Sequence, residues 1–226
     1  LLAQLLARLG FPSPLKRAPP PYEARSPEED LAPARRWLLE RGWREGDRLI
    51  AIHPGSGGSS LNWPEENYQE LTLQLIQKGW KVLISGGGDN ESISERLREY
   101  LRERLGEVSA LTQVLFYAGR EAQIHHLGFQ AALLKHASLM IASSTGPLHL
   151  ARALGLSSIG FFPPIRVLTP RRFGTYPSLP EAPPLVALQP VREEECGQVF
   201  RCAGLTCRFI PCMSRISVAE VIAEVI

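Results

Sequence analysis

No stretch of this 226-residue chain approaches the roughly 20 uninterrupted apolar residues that span a bilayer. Neither sign of charge is in excess: 25 Lys and Arg against 23 Asp and Glu leave a net +2. That balance disfavours a basic nucleic-acid binder and an acidic disordered tail alike. Cysteine is scarce and local, with 4 in the chain and none before Cys196. Cross-links are not needed to hold the first 195 residues together, because 44% of the chain is hydrophobic, ample for a buried core. The start lacks a Met, a basic segment and a small-residue cleavage site, so Leu1–Gly10 does not read as a signal peptide. Its period suits an amphipathic helix stopped by Gly10, and a chain that opens inside a helix is expected to be cut from something longer.

What is present divides into three parts. Residues 1–45 hold the opening helix and a proline-rich linker, in which Pro19–Pro21 favour an extended polyproline segment. Ser26-Pro27-Glu28-Glu29 then supplies an N-cap, a first-turn proline and acids for the helix dipole, predicting a helix to about Arg41. Across residues 46–190 short apolar runs alternate with helical segments. Strands are predicted at Leu49–Ile52, Lys81–Ser85, Leu139–Ala142 and Ser158–Phe162, with Val114–Ala118 a further candidate. Helices are predicted at Glu65–Lys78, Glu91–Leu105, Leu127–Ala137 and Pro147–Leu154, Glu95 and Glu99 being placed to meet Arg98 and Arg102. This alternation predicts an α/β domain, a Rossmann-like parallel sheet with helices on both faces. Residues 191–226 carry the cysteines and a closing helix from Ser217.

In such sheets ligands sit beyond the carboxyl ends of the strands, and three strand ends carry unusual chemistry. The first runs His53-Pro54-Gly55-Ser56-Gly57-Gly58-Ser59-Ser60, where glycines and serines let backbone N–H groups approach a phosphate. It is not a dinucleotide fingerprint. Gly55-x-Gly57-x-x-Ser60 lacks the third glycine, and the next strand ends at Ser85-Gly86-Gly87, without the acid that would hold a ribose. The second continues Gly88-Asp89-Asn90-Glu91, where helix capping and the dipole explain both acids, with a ribose contact the alternative. The third, Ser143-Ser144-Thr145-Gly146-Pro147-Leu148-His149, delivers hydroxyls and a glycine to a helix start, an anion site in the making. Together the first and third loops point to one diphosphate held between neighbours. His149 reads equally as a hydrogen-bonded core histidine.

The series His53–Gly58, Asn62-Trp63-Pro64, Ser85-Gly86-Gly87 and Ser144–Ala151 resembles the donor-binding half of family 9 glycosyltransferases, the bacterial heptosyltransferases of lipopolysaccharide core assembly and their relatives. The resemblance covers about residues 46–175 and implies the C-terminal half of a GT-B fold, with the active site in a cleft between two Rossmann-like domains. It implies an inverting transfer from a nucleotide-sugar, ADP-heptose being favoured, to a glycolipid or oligosaccharide acceptor. The carboxylate base would come from an N-terminal domain, and the location would be cytoplasmic or peripheral at the inner face of the membrane. It places Gly55, Ser56, Gly57, Gly58, Ser59, Ser144, Thr145, Gly146, Pro147 and His149 at the donor diphosphate and Glu91 near the ribose. No cofactor is required, because a helix N-terminus, loop amides and arginines suit a departing diphosphate. Two departures stand out: Leu61 and Ser144 occupy positions where many relatives carry a cation and an Asp. Arg172, or Arg171 beside it, is the candidate replacement cation. A non-catalytic nucleotide-sugar module and a GT-B epimerase remain alternative readings.

All four cysteines, Cys196, Cys202, Cys207 and Cys212, fall within 17 residues at spacings x5, x4 and x4, without a C-x2-C knuckle. Zinc, an iron–sulfur cluster, two disulfides and free thiols are all compatible with that pattern, outside the transfer chemistry.

Overall fold

The structure is a computed structural model that describes residues 28–86, 91–106, 112–118, 127–173, 184–209 and 211–225. The expected helix at Leu1–Gly10, the prolines Pro19–Pro21 and the residues Gly87, Gly88 and Asp89 lie outside the described residues.

Six strands form one sheet: β1 Leu49–His53, β2 Lys81–Ser85, β3 Val114–Tyr117, β4 Leu139–Ser143, β5 Ser158–Phe161 and β6 Leu185–Leu188. Their order is β3-β2-β1-β4-β5-β6, and every neighbouring pair is parallel. The chain therefore builds outward from β1 to β3, returns through a crossover helix, and builds outward again from β4. The reversal lies between β1 and β4, whose registers pair Ile52 with Ile141 and His53 with Ala142. A crevice opens at such a reversal because successive connections leave in opposite directions.

Helices cover both faces. On one side α2 Glu65–Gln77, α3 Glu91–Leu105 and α8 Val218–Val225 pack Leu71, Leu75, Leu101 and Val221 onto Ile50, Ile52, Val82 and Ile141. On the other, α1 Glu28–Glu40, α4 Leu127–Leu134 and α5 Gly146–Ala153 pack Leu38, Phe129, Leu133 and Leu148 onto Leu49, Ala51, Met140 and Ala142. Successive strand residues thus go to opposite layers, and Leu49 through Ile52 are all fully buried. Continuous apolar runs in place of alternation are what burial on both faces demands. Each buried Leu or Ile contributes about 1.5–3 kcal/mol through removal from water. Between β5 and the end, two one-turn helices, α6 Pro170–Phe173 and α7 Glu193–Cys196, and three 3-10 turns complete the described chain.

The predicted strands and helices are found within three residues of their expected ends. The helix expected at Leu127–Ala137 stops at Leu134, because His136 and Ala137 donate three residues back, to Leu133 and Leu134. Those bonds tighten the last turn into 3-10 geometry. The candidate strand at Val114–Ala118 is real and pairs with β2. The edge strand β6 was not foreseen; its four residues are only partly buried or exposed and follow directly on Pro183 and Pro184. Proline is tolerated at such an edge and masks the strand signal. Arg102 pairs with Glu99 at 3.7 Å as expected, whereas Arg98 stacks its guanidinium 4.6 Å above Phe116. The described helices of the first and third segments pack on the sheet layers, α1 against α4 and α8 against α2. Among the described residues no helix is long and apolar enough to cross a membrane.

Gly160 in β5 reports on how tightly these layers meet. A Cβ there would stand 2.6 Å from Phe162 and 2.9 Å from Leu148, both fully buried and without room to retreat. Gly160→Ala is expected to lower unfolding free energy in urea by about 1–3 kcal/mol. An unchanged midpoint would mean that the layers are looser than this packing indicates.

Candidate functional site

Both loops expected to hold a ligand emerge at the reversal point. The first, following His53, contains three glycines with left-handed backbone, Gly55 at φ 94°, Gly57 at 54° and Gly58 at 79°. At Gly57 and Gly58 a Cβ would meet nothing within 4 Å, so it is the backbone conformation, and not space, that selects glycine there. The serines of this loop serve the loop itself. Ser56 donates to the Ser60 carbonyl at 2.7 Å, and Ser59 donates to the Ser56 carbonyl through both its hydroxyl and its amide. Gly57, Gly58 and Ser59 are exposed at the tip, while Gly55 and Ser56 are buried at its base. The loop exposes the main chain of Gly57 and Gly58; the Ser56 and Ser59 hydroxyls are bonded within it, and the Ser60 hydroxyl is buried without a hydrogen-bond partner among the described residues.

The second loop follows β4. Ser143 is fully buried, and the Ser144 amide continues the sheet by donating to Phe161. Thr145 takes the extended N-cap conformation of α5, but its hydroxyl donates to the Ser143 carbonyl at 3.2 Å and makes no capping bond. The first amides of a helix have no carbonyl within it. Pro147 has no N–H to satisfy, which leaves the Gly146 and Leu148 amides at the head of the helix dipole. Gly146 is exposed, and Ser144, Pro147 and His149 are half-buried around it.

Tyr68, from the first face of the sheet, joins the two loops. Its ring is fully buried on α2, its hydroxyl lies 3.4 Å from Ser143 Oγ, and it hydrogen-bonds the Gly55 backbone. Burial pushes the phenol up to about 12, against the opposing pull of the Ser143 and Gly55 hydrogen bonds. The ring meets Trp63 edge-on at 5.0 Å, and Trp63 stacks on Phe161 at 4.5 Å. Trp63 Nε1 donates to the Ile216 carbonyl at 2.8 Å. The Asn62-Trp63-Pro64 motif is thus a buried brace beneath the loops, with Leu61 packed against the same core.

The histidines at the site are neutral. His53 Nδ1 lies 3.1 Å from Ser85 Oγ, and burial pushes the ring down to about 4, opposed by a hydrogen bond that the ring donates to the Ser85 backbone carbonyl. His149 is lowered by burial and by the Arg152 guanidinium, and its ring lies 5.9 Å from Phe173. An uncharged imidazole offers the ligand a hydrogen bond and no cation.

The remaining expected residues are placed less closely. Glu91 opens α3, whose start follows β2, but its side chain lies outside the described residues. Arg172 donates to the Val167 carbonyl at 3.3 Å and stacks on Phe173, which links it to His149 through that ring. Arg171 faces a separate cavity of about 330 Å³ lined by Arg166, Glu193, Glu194 and Gln198. The four cysteines are unbonded thiols, and no three of the described His, Cys, Asp or Glu side chains stand as ligands of a metal. Sequence reasoning overlooked Tyr68 as part of the site. Tyr68 carries no signal beyond an aromatic at a core-facing helix position.

Known proteins bear out this frame. Residues 2–178 match the family model for glycosyltransferase family 9 (heptosyltransferase). A putative glycosyltransferase of Haemophilus influenzae is 33% identical over 132 residues, 58% of this chain and 35% of that protein. Among solved structures, the family 9 glycosyl transferase of Veillonella parvula superposes with a TM-score of 0.67 at 20% identity, covering 97% of this chain and 56% of that one. The E. coli ADP-heptose lipopolysaccharide heptosyltransferase II gives 0.62 at 17% identity, covering 96% and 58%. The chain thus spans little more than half of those structures, and the matched segment about a third of the curated relative. It belongs to glycosyltransferase family 9, and its sheet and helices form the Rossmann-like α/β unit of GT-B heptosyltransferase structures.

The neutral state of His53 has a measurable cost in acid. Its folded pKa lies below the unfolded value, so the unfolded chain binds the extra proton and stability falls with pH between 6.5 and about 4. Across that window the His53 share amounts to roughly 3 kcal/mol. The exposed carboxylate Glu220, also lowered, acts below its ordinary 4.5. His53→Asn is therefore expected to flatten the pH dependence of unfolding free energy between pH 6.5 and 4; a variant as acid-sensitive as the parent would contradict a buried neutral imidazole.

Proposed function

We propose that this member of glycosyltransferase family 9 binds a nucleotide-sugar donor, with the diphosphate seated between the loop after β1 and the start of α5. The observation that carries the reading is the convergence at the reversal point of two strand-end loops, tied beneath by Tyr68, whose glycines Gly57, Gly58 and Gly146 are exposed. Transfer of a sugar from a nucleoside diphosphate builds negative charge on the departing phosphates. Amides at Gly57, Gly58 and Gly146 and the Ser144 hydroxyl are the donors proposed for that charge. The helix dipole of α5 adds to them. His149 contributes a hydrogen bond, and Arg172 is the nearest candidate to supply the cation that Leu61 does not.

ADP-heptose is the favoured donor and lipopolysaccharide core the favoured acceptor. That choice follows family membership and the name of the E. coli relative. An inverting displacement needs a base to take the acceptor proton. Neither the 54–60 loop nor the 143–149 loop contains an Asp or Glu, so the base is assigned to a carboxylate of an N-terminal domain across the cleft. On this reading the 226 residues bind donor and complete transfer only with that domain.

Calorimetric titration of the chain with ADP, AMP and adenosine tests the seat of the diphosphate. ADP is expected to bind at least about tenfold more tightly than AMP, roughly 1.4 kcal/mol or more. Ser144→Ala is expected to weaken ADP by about ten- to a hundredfold, as loss of one hydrogen bond to a charged group does. Equal affinity for ADP and AMP would remove the diphosphate from these loops.

A further inference from the structure

The segment carrying the cysteines takes no part in the site just described, yet it is not an arbitrary tail. Its 3-10 turn Cys212–Arg215 is partly in the core: Cys212 and Met213 are buried in the same cluster as Trp63 and Tyr68. The chain approaches that point through left-handed backbone at Gly197, φ 67°, and Gly204, φ 63°. Cys202, Cys196 and Cys207 all lie within the electrostatic reach of the Cys212 sulfur.

The sulfurs are also solvated by main chain in a particular way. The Gly204 amide donates to Cys202 Sγ at 3.3 Å, and the Phe209 amide donates to Cys207 Sγ at 3.5 Å, each from two residues on. Burial and the neighbouring cysteines raise the Cys212 thiol, against a backbone hydrogen bond at Met213. Amide donors to sulfur stabilise thiolate over thiol, and such outer-shell bonds orient metal-ligating groups. Arg201 and Arg208 lie among the cysteines and Arg215 just after them, balanced by Glu193, Glu194 and Glu195 just before Cys196.

We propose that Cys196, Cys202, Cys207 and Cys212 together bind one zinc ion as a closed four-sulfur structural site. Four thiolates without nitrogen or oxygen donors fill the tetrahedral coordination of zinc and leave no open position for catalysis. Each thiol releases its proton to solvent as its sulfur bonds the metal, so one zinc displaces four protons and the centre carries two negative charges. No three of the sulfurs already stand in ligating arrangement, and binding draws the 197–211 loop inward about the buried Cys212. The site then pins the segment whose Ile216 carbonyl receives the Trp63 indole, and so steadies the brace beneath the donor loops.

The test uses the whole chain, reduced and then loaded with zinc or cobalt. Metal analysis after desalting is expected to give one zinc per chain, and the cobalt form to show the intense sulfur-to-metal charge-transfer and visible bands of a tetrahedral four-thiolate centre. Cys202→Ser and Cys207→Ser, at half-buried positions outside the core, are expected to lose stoichiometric metal while keeping the far-ultraviolet circular dichroism of the parent. Zinc is expected to protect all four thiols from Ellman's reagent and to raise the melting temperature of the parent alone. Four thiols that react equally with and without zinc would overturn the proposal. So would isolation of the chain with two disulfides, four hydrogens lighter by mass, or with stoichiometric iron in place of zinc. Nucleotide binding is not a readout here, so failure of the zinc site leaves the donor-site reading untouched.

Discussion

The phenol of Tyr68 stands where the order of the sheet reverses, beneath two loops that leave neighbouring strands. Pairing of β1 with β4, His53 opposite Ala142, sets where the loops begin. The buried hydroxyl, bonded to the Gly55 backbone and lying close to Ser143, ties their bases together from below. The constraint extends downward through Trp63, which packs against Tyr68 and Phe161 and donates to Ile216 in the closing segment. A buried polar group left without a partner is costly, so these bonds hold one arrangement in place of several. The loops above can therefore be rich in glycine and still be positioned.

The electrostatic character of the site follows from the same burial. Burial lowers His53 and His149, helped at His149 by the Arg152 guanidinium, so neither ring adds a cation at neutral pH. Main-chain amides and a helix dipole remain, and these are partial charges with fixed directions. Such a site favours an anion whose oxygens match its geometry over any anion of equal charge. It is a reasonable way to hold a diphosphate that must gain charge as its sugar leaves.

Much of this was legible in the amino acids. The strands announce themselves because a sheet covered on both faces needs uninterrupted apolar runs, as Leu49–Ile52 and Lys81–Ser85 show. The loops announce themselves because left-handed backbone selects glycine at Gly55, Gly57 and Gly58. β6 was hidden by its flanking prolines and its place at the sheet edge. The joint between the loops was hidden for a different reason: Tyr68 occupies a core position on α2, and only the fold reveals what its hydroxyl meets. The serines Ser56 and Ser59 mislead in the opposite sense, since they look like ligand donors and are bonded within their own turn. Asn62-Trp63-Pro64 likewise signals the family through a residue that braces the site and does not line it.

The central claim is that the two loops act as one diphosphate seat. Amide hydrogen exchange with and without saturating ADP tests it most directly, because the proposed contacts are backbone N–H groups. The account predicts that protection rises together in residues 55–59 and 144–148, with little change around Arg166 and Glu193 in the cavity beside Arg171. Protection confined to one loop, or appearing around Arg166 and Glu193 instead, would contradict it.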